Sequence, residues 1–286
     1  MRLDGRRTSS NVEDRRGMSA GKAGGLGIGG MIIVGIIAWL MGANPMDVIQ
    51  QAGTMPQIGG TSEEYTPTPE EEELATFASQ ILAGTEDIWT EEFRKMGKTY
   101  VAPKLVLFKN AVSSGCGSAS SSSGPFYCSA DQCVYLDLDF FTSMKRSIGA
   151  DGDFAYAYVI AHEVGHHVQY LLGTLGQAHQ RMSQVSQTES NQISVRLELQ
   201  ADYFAGLWAF HDNKRFGSLE DGDLEEALNA AQKIGDDYLQ KKARGYAVPE
   251  SFNHGTSAQR HKWLKKGLTT GSIAGADTFS QPYEAL

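Results

Sequence analysis

The stretch Phe154-Ala155-Tyr156-Ala157-Tyr158-Val159-Ile160-Ala161-His162-Glu163-Val164-Gly165-His166-His167-Val168-Gln169-Tyr170-Leu171-Leu172 reads as one helix, with an apolar lead-in and two histidines four residues apart. Residues i and i+4 share one face of a helix, a turn apart. His162 and His166 can therefore each turn one imidazole nitrogen toward a single cation. A catalytic zinc takes nitrogen ligands at about 2.0–2.1 Å and keeps three protein ligands plus an open position for water. Glu163, beside the first histidine, is placed to take a proton from that water. The expected cofactor is Zn2+. His167 lies about 100° round the helix from His166 and is expected to be a packing or surface residue.

The third ligand has to come from outside this helix. In Glu198-Leu-Gln-Ala-Asp202 two acids again share a helical face. Glu198 is the expected ligand, and Asp202 the carboxylate that holds the far ring nitrogen of His162 or His166. Such acids often form a solvated pair, but Tyr203 to Phe210 follows almost wholly apolar, so they head a buried helix. His167, His179, His211, Glu189 and Asp212 are the competing third ligands. A zinc hydrolase also needs a donor for the developing oxyanion. His254 is the expected catalytic donor, with Arg260, Tyr135 and Tyr203 as rivals. Its Gly-Thr-Ser context reads equally as a helix N-terminus capped by Thr256 or Ser257.

Outward from the motif, 126–248 carries no proline and its periodicity is helical. Helices are expected over 154–172, 193–211, 223–243 and 256–267, with 173–191 as a polar surface connection. Upstream, Val101 to Phe108, Phe126-Tyr127 and Val134 to Leu138 read as strands, 113–124 as a Ser/Gly-rich loop, and a helix begins near Leu74. The fold class is α+β, a small sheet followed by a helical half that carries the chemistry.

The chain has 286 residues and a formal net charge of -9. An acidic chain excludes nucleic acid as the main partner, since phosphate binding needs a clustered basic surface. The N-terminus differs. Residues 1–22 hold six basic groups, and no further Lys or Arg occurs until Arg94. Between them 23–43 is uncharged and apolar, near the ~20 residues a membrane helix needs. The sequence therefore predicts a basic cytoplasmic tail (1–22), a transmembrane anchor (23–43), a proline-bearing linker (44–73) and a catalytic domain (74–286). The basic flank places the tail inside and the domain outside a bacterial inner membrane. A cleaved signal peptide is the rival reading. Cys116, Cys128 and Cys133 suit an exported domain with one disulfide, and their spacing leaves the pairing open.

His162-Glu-Val-Gly-His-His-Val-Gln and Glu198-Leu-Gln-Ala-Asp-Tyr-Phe-Ala-Gly, with Cys116-Gly-Ser-Ala, Gly124-Pro-Phe-Tyr-Cys, Val134-Tyr-Leu-Asp-Leu and His254-Gly-Thr-Ser-Ala-Gln-Arg, resemble the neutral zinc metallopeptidase family of bacterial membrane-anchored proteins. The resemblance covers most of the chain. More distantly, the paired motifs are similar to zincin peptidases with a glutamate third ligand. It implies a zincin-like domain, His162, His166 and Glu198 as ligands, Glu163 as base, Asp202 behind them, and a Cys116–Cys128 disulfide that leaves Cys133 over. The expected function is zinc-dependent hydrolysis of peptide bonds in a peptide or protein substrate. A zinc amidase acting on cell-wall peptides is the alternative, and a catalytically silent zinc scaffold the reading from another class.

Overall fold

Thr68 opens the first helix with a reciprocal cap: its hydroxyl accepts from the Glu71 amide at 3.2 Å while the Glu71 carboxylate accepts from the Thr68 amide at 2.8 Å. Pro69 at the first helical position fits the same start. Helix α1 thus runs Pro69–Lys95, five residues ahead of the apolar pattern that marks it in the sequence. The computed structural model describes residues 1–18 and 65–286. Among these, one four-stranded sheet, a two-stranded hairpin and eight α-helices make an α+β fold.

The sheet joins β1 (Val12–Asp14), β2 (Lys104–Phe108), β6 (Cys133–Asp137) and β5 (Phe126–Cys128) in that order, parallel except for the antiparallel pair of β5 with β6. Side chains alternate across a strand. Leu105, Leu107, Val134 and Leu136 enter the main core, while Val106, Phe108, Tyr135 and Cys133 form a second cluster on the other face. Burial on both faces explains why Lys104 to Phe108 reads as a run of apolar residues rather than an alternation. The Ser/Gly-rich segment expected as a loop is instead a hairpin, β3 (Ala111–Ser114) and β4 (Gly117–Ser120), whose small residues hid its strand character. Cys116 and Cys128 form a disulfide that ties this hairpin to β5, and Cys133 is a buried free thiol.

The helical half comprises α2 (Asp139–Ile148), α3 (Asp153–Leu172), α4 (Thr174–Met182), α5 (Gln187–Phe216), α6 (Asp223–Lys233), α7 (Asp236–Arg244) and α8 (Ser257–Thr270). The polar connection expected over 173–191 contains α4 and the first turn of α5. The helix expected over 223–243 is two helices. They part at Gly235, where a Cβ would stand 2.3 Å from the Ser257 amide nitrogen, so the backbones touch and the chain turns. Helices α5 and α8 cross just as closely. A Cβ on Gly206 would lie 2.3 Å from the Leu264 carbonyl, and one on Gly267 would lie 2.2 Å from that of Tyr203. This crossing brings the start of α8 against the middle of α5.

The N-terminal residues overturn the membrane assignment. Residues 1–18, expected as a tail on the other side of a bilayer, are part of the same folded body as 65–286. β1 extends the sheet, the Ser9 amide donates to the Ser79 carbonyl at 3.2 Å, and the Arg6 guanidinium grips Asp212 with bonds of 2.7 and 3.2 Å. A tail inside and a domain outside cannot share one sheet. No helix among the described residues is long and apolar enough to cross a membrane. The described residues thus form an α+β fold without a transmembrane helix and do not support the expected single-pass inner-membrane placement. The 23–43 segment called as the anchor, and 44–64 of the linker, lie outside the described residues.

The basic residues near the N-terminus thus pair with acids of their own fold, and for Arg6 that acid is buried. Asp212 is 1% exposed and Arg6 11%. Arg6→Ala leaves a buried carboxylate unpaired and is expected to cost on the order of 3 kcal/mol in urea unfolding. Arg2→Ala, at a side chain 64% exposed, is expected to leave stability unchanged.

Candidate metal centre

Two glycines set the geometry of α3. Gly152 begins the helix with φ 112°, and at Gly165 a Cβ would lie 3.0 Å from the Ala201 carbonyl oxygen and 3.1 Å from its Cα. A side chain here would need α3 and α5 to give by a few tenths of an ångström. The approach places His162 and His166 of α3 opposite Glu198 of α5. His162 Nε2 stands 3.1 Å from Glu198 Oε2, and His166 Nε2 stands 3.4 Å from Glu198 Oε1.

These three residues offer ligand atoms that all lie within 4.8 Å of one another. Four ligands arranged tetrahedrally at zinc's bond lengths are about 3.3 Å apart. The two separations to Glu198 bracket that value. The donor chemistry fits as well. Both Nδ1 atoms are engaged elsewhere, His162 with Asp202 Oδ1 at 2.8 Å and His166 with Gln169 Oε1 at 2.9 Å. Each ring therefore carries its proton on Nδ1 and turns Nε2 toward the shared point. Two imidazoles and one carboxylate suit zinc.

Asp202 is fully buried and saturated with donors. Tyr158 donates to Oδ1 at 2.6 Å, and Arg260 donates through Nη2 to Oδ1 at 2.8 Å and through Nε to Oδ2 at 2.9 Å. Burial pushes the Asp202 carboxyl up, but the Arg260 charge and His162 outweigh it and hold the group below the usual range. Burial likewise pulls the His162 imidazole down, and the Asp202 and Glu198 carboxylates overcome it, raising the ring in the protein alone to about 10. Cation binding at Nε2 must therefore expel a proton. On the other ligand, Gln169 donates through Nε2 to the Leu197 carbonyl at 2.7 Å and to Gln200 Oε1 at 3.2 Å. Its amide is thereby fixed with the oxygen toward His166.

Glu163 lies partly buried and makes no hydrogen bond or ion pair with the described residues. Burial raises its carboxyl above the usual value, against the opposing pull of His166 and His162. His254 stands on a built support. Asp236, with none of its surface exposed, accepts from the amides of Asn253, His254 and Gly255 at 2.8, 2.7 and 3.1 Å and meets His254 Nδ1 at 3.1 Å. Burial lowers the His254 imidazole, but the Asp236 carboxylate outweighs it and holds the ring above its ordinary value.

The rival residues are occupied elsewhere. His167 is fully buried between the Tyr127 hydroxyl at 2.9 Å and the Val101 carbonyl at 2.7 Å. His211 bonds the Gly271 carbonyl, Asp212 holds Arg6, and Glu189 pairs with Arg181. His179 is exposed on α4 and is not in the three-residue group. Tyr135 donates to Asp131 and Tyr203 to the Ser272 carbonyl, while Arg260 is committed to Asp202. Sequence reading missed Tyr158 and Gln169 as supports. Their spacing held the signal, because Tyr158 precedes His162 by one turn and Gln169 follows His166 by three residues. Arg260 on α8 and the carboxylate of Asp236 had no such signal.

Residues 1–279 match the family described as "Putative neutral zinc metallopeptidase", and the chain belongs to it. The chain is 50% identical to protein YpfJ of Escherichia coli over 288 residues, which spans 98% of this chain and 99% of that one. It is 43% identical to protein Rv2575 of Mycobacterium tuberculosis over 191 residues, covering 63% of this chain and 64% of the relative. No solved structure matches the chain.

If Asp202 orients a metal-binding imidazole, Asp202→Asn should weaken zinc affinity about 10–100-fold. Competition with a chromophoric chelator reads this directly, and an unchanged affinity would separate Asp202 from the metal.

Proposed function

We propose that the chain is a zinc-dependent endopeptidase in which His162, His166 and Glu198 hold the ion and Glu163 is the general base. The observation that carries this reading is Glu163 itself, a carboxylate with no hydrogen-bond or ion-pair partner among the described residues, beside a cluster of three ligands. A site kept for structure alone has no use for a free base next to an open coordination position. Bound at this cluster, zinc supplies a Lewis acid for the scissile carbonyl and acidifies water.

The protein's own groups do the rest. Glu163 takes a proton from the attacking water onto its carboxylate and passes it to the nitrogen of the leaving amine. Its partly buried setting, which favours the protonated form more than open water does, suits a group that must hold that proton between the two transfers. Asp202, Tyr158 and Arg260 keep the His162 ring fixed, and Gln169 does so for His166. His254 is the proposed donor to the oxyanion that develops on the substrate carbonyl. Asp236 accepts a hydrogen bond from Nδ1–H, and by raising the imidazole above its ordinary value it supports a ring that also carries a proton on Nε2. The edge position of β5, which packs on α3, gives an extended peptide a strand to lie along.

One series of variants tests these roles in a peptide-library cleavage assay with metal analysis. Glu163→Gln should keep its zinc and lose about 10²–10⁴-fold in kcat. His254→Ala should keep its zinc and lose about 10²–10³-fold in kcat with little change in KM. Full activity in Glu163→Gln would remove the assigned base, and full activity in His254→Ala would remove the assigned donor.

A further inference from the structure

On the side of α5 away from Glu198, a cavity of about 720 Å³ opens between α4, α5 and the segment 273–279. Arg196 and Gln200 in its wall lie two residues either side of Glu198, about 200° round the helix. The volume is in the range of small-molecule sites, roughly 300–1,000 Å³. Leu172, Ile193, Phe204, Ile273 and Phe279 give it an apolar lining.

The charges on the wall are unequally satisfied. Arg181 and Glu189 pair at 2.9 Å. Asp277 accepts from the Phe279 amide at 2.9 Å, the Ser280 amide at 3.0 Å and the Ser280 hydroxyl, so its oxygens serve their own turn. Arg196 donates to the Thr278 carbonyl and lies 5.9 Å from the Tyr283 ring, but among the described residues it has no ion pair. A guanidinium offers five donors in a fork that matches a carboxylate. With the Thr278 carbonyl as its one hydrogen-bond acceptor among the described residues, Arg196 keeps most of its donors free in the cavity wall, where Asp277 and Glu284 act on it only as charges at longer range.

We propose that this cavity binds a carboxylate carried on an apolar chain, with the carboxylate on Arg196 and the chain against Ile193, Phe204 and Phe279. Its occupancy reaches the metal centre. Gln200 donates to the Ala276 carbonyl of the wall segment at 2.9 Å and accepts from Gln169 at 3.2 Å, and Gln169 holds His166 Nδ1 at 2.9 Å. A ligand seated between α5 and residues 273–279 therefore bears on the orientation of a metal-binding imidazole. Linkage is reciprocal, so the ligand changes zinc affinity by the factor by which zinc changes the ligand's.

Two sources share this chemistry, a fatty acid and the free C-terminus of an apolar peptide. Calorimetric titration of the full chain with decanoate and with N-acetyl-Leu-Phe tells them apart by which binds more tightly. Decanol and the peptide amide are the uncharged controls. At least one acid should bind saturably, one per chain, and at least tenfold more tightly than its control. Arg196→Gln should weaken it at least tenfold. Phe279→Glu, at an exposed position, should weaken it too by setting a like charge in the wall and gives a second variant should Arg196→Gln misfold. No saturable binding of either acid at millimolar concentration, or equal binding to wild type and both variants, would overturn the site. Saturating acid should shift zinc affinity at least threefold, and no shift would overturn the link through Gln200. None of these measurements uses peptide cleavage, so they stand or fall apart from the peptidase reading.

Discussion

A carboxylate with none of its surface in water must find every hydrogen bond inside the protein, and Asp202 finds them on two helices other than its own. Tyr158 and His162 reach it from α3, and Arg260 reaches it from α8. An unpaired buried charge costs several kcal/mol, so the three helices cannot separate locally without exposing that cost. The glycines make the meeting geometrically feasible. Gly165 lets α3 approach α5, and Gly206 and Gly267 let α8 do the same from the other side. The position of the metal ligands follows from this convergence, since His162 is held at one nitrogen by the hub and turns the other toward Glu198.

The same logic explains the pairing of supports. Each ligand imidazole has a distinct acceptor at Nδ1, a charged one for His162 and a neutral one for His166. The charged acceptor raises the basicity of the His162 imidazole. The second carboxylate pairing, Asp236 with His254, repeats the device with a difference. Asp236 is anchored by backbone amides rather than by a cation, which fixes its place without neutralising its charge.

Much of this was legible in the sequence, for identifiable reasons. The i, i+4 spacing of His162 and His166, and that of Glu198 and Asp202, translates directly into shared helix faces, and the apolar run after Asp202 signals burial. The disulfide followed from resemblance, because spacing among three cysteines decides nothing. What was not legible depends on contacts distant in the chain. No periodicity tells that Arg260 meets Asp202, or that a helix pattern over 223–243 breaks at Gly235 against Ser257. Apolar spacing also misled at the N-terminus. A basic run beside an uncharged one reads as a topogenic flank, yet Arg6 and Arg16 are placed against Asp212, Asp14 and Glu72, and Val12 to Asp14 are a strand of the sheet. Charge counts do not distinguish a lysine or arginine facing lipid headgroups from one facing an acid of its own fold.

The central claim is that two imidazoles and one carboxylate hold a zinc ion at the meeting of α3 and α5. X-ray absorption at the zinc edge, on full-length chain loaded with one ion, tests it most directly. The account predicts a first shell of nitrogen and oxygen at about 2.0–2.1 Å, with outer-shell scattering from two imidazoles. Sulfur at about 2.3 Å, or a shell without imidazole scattering, would contradict it.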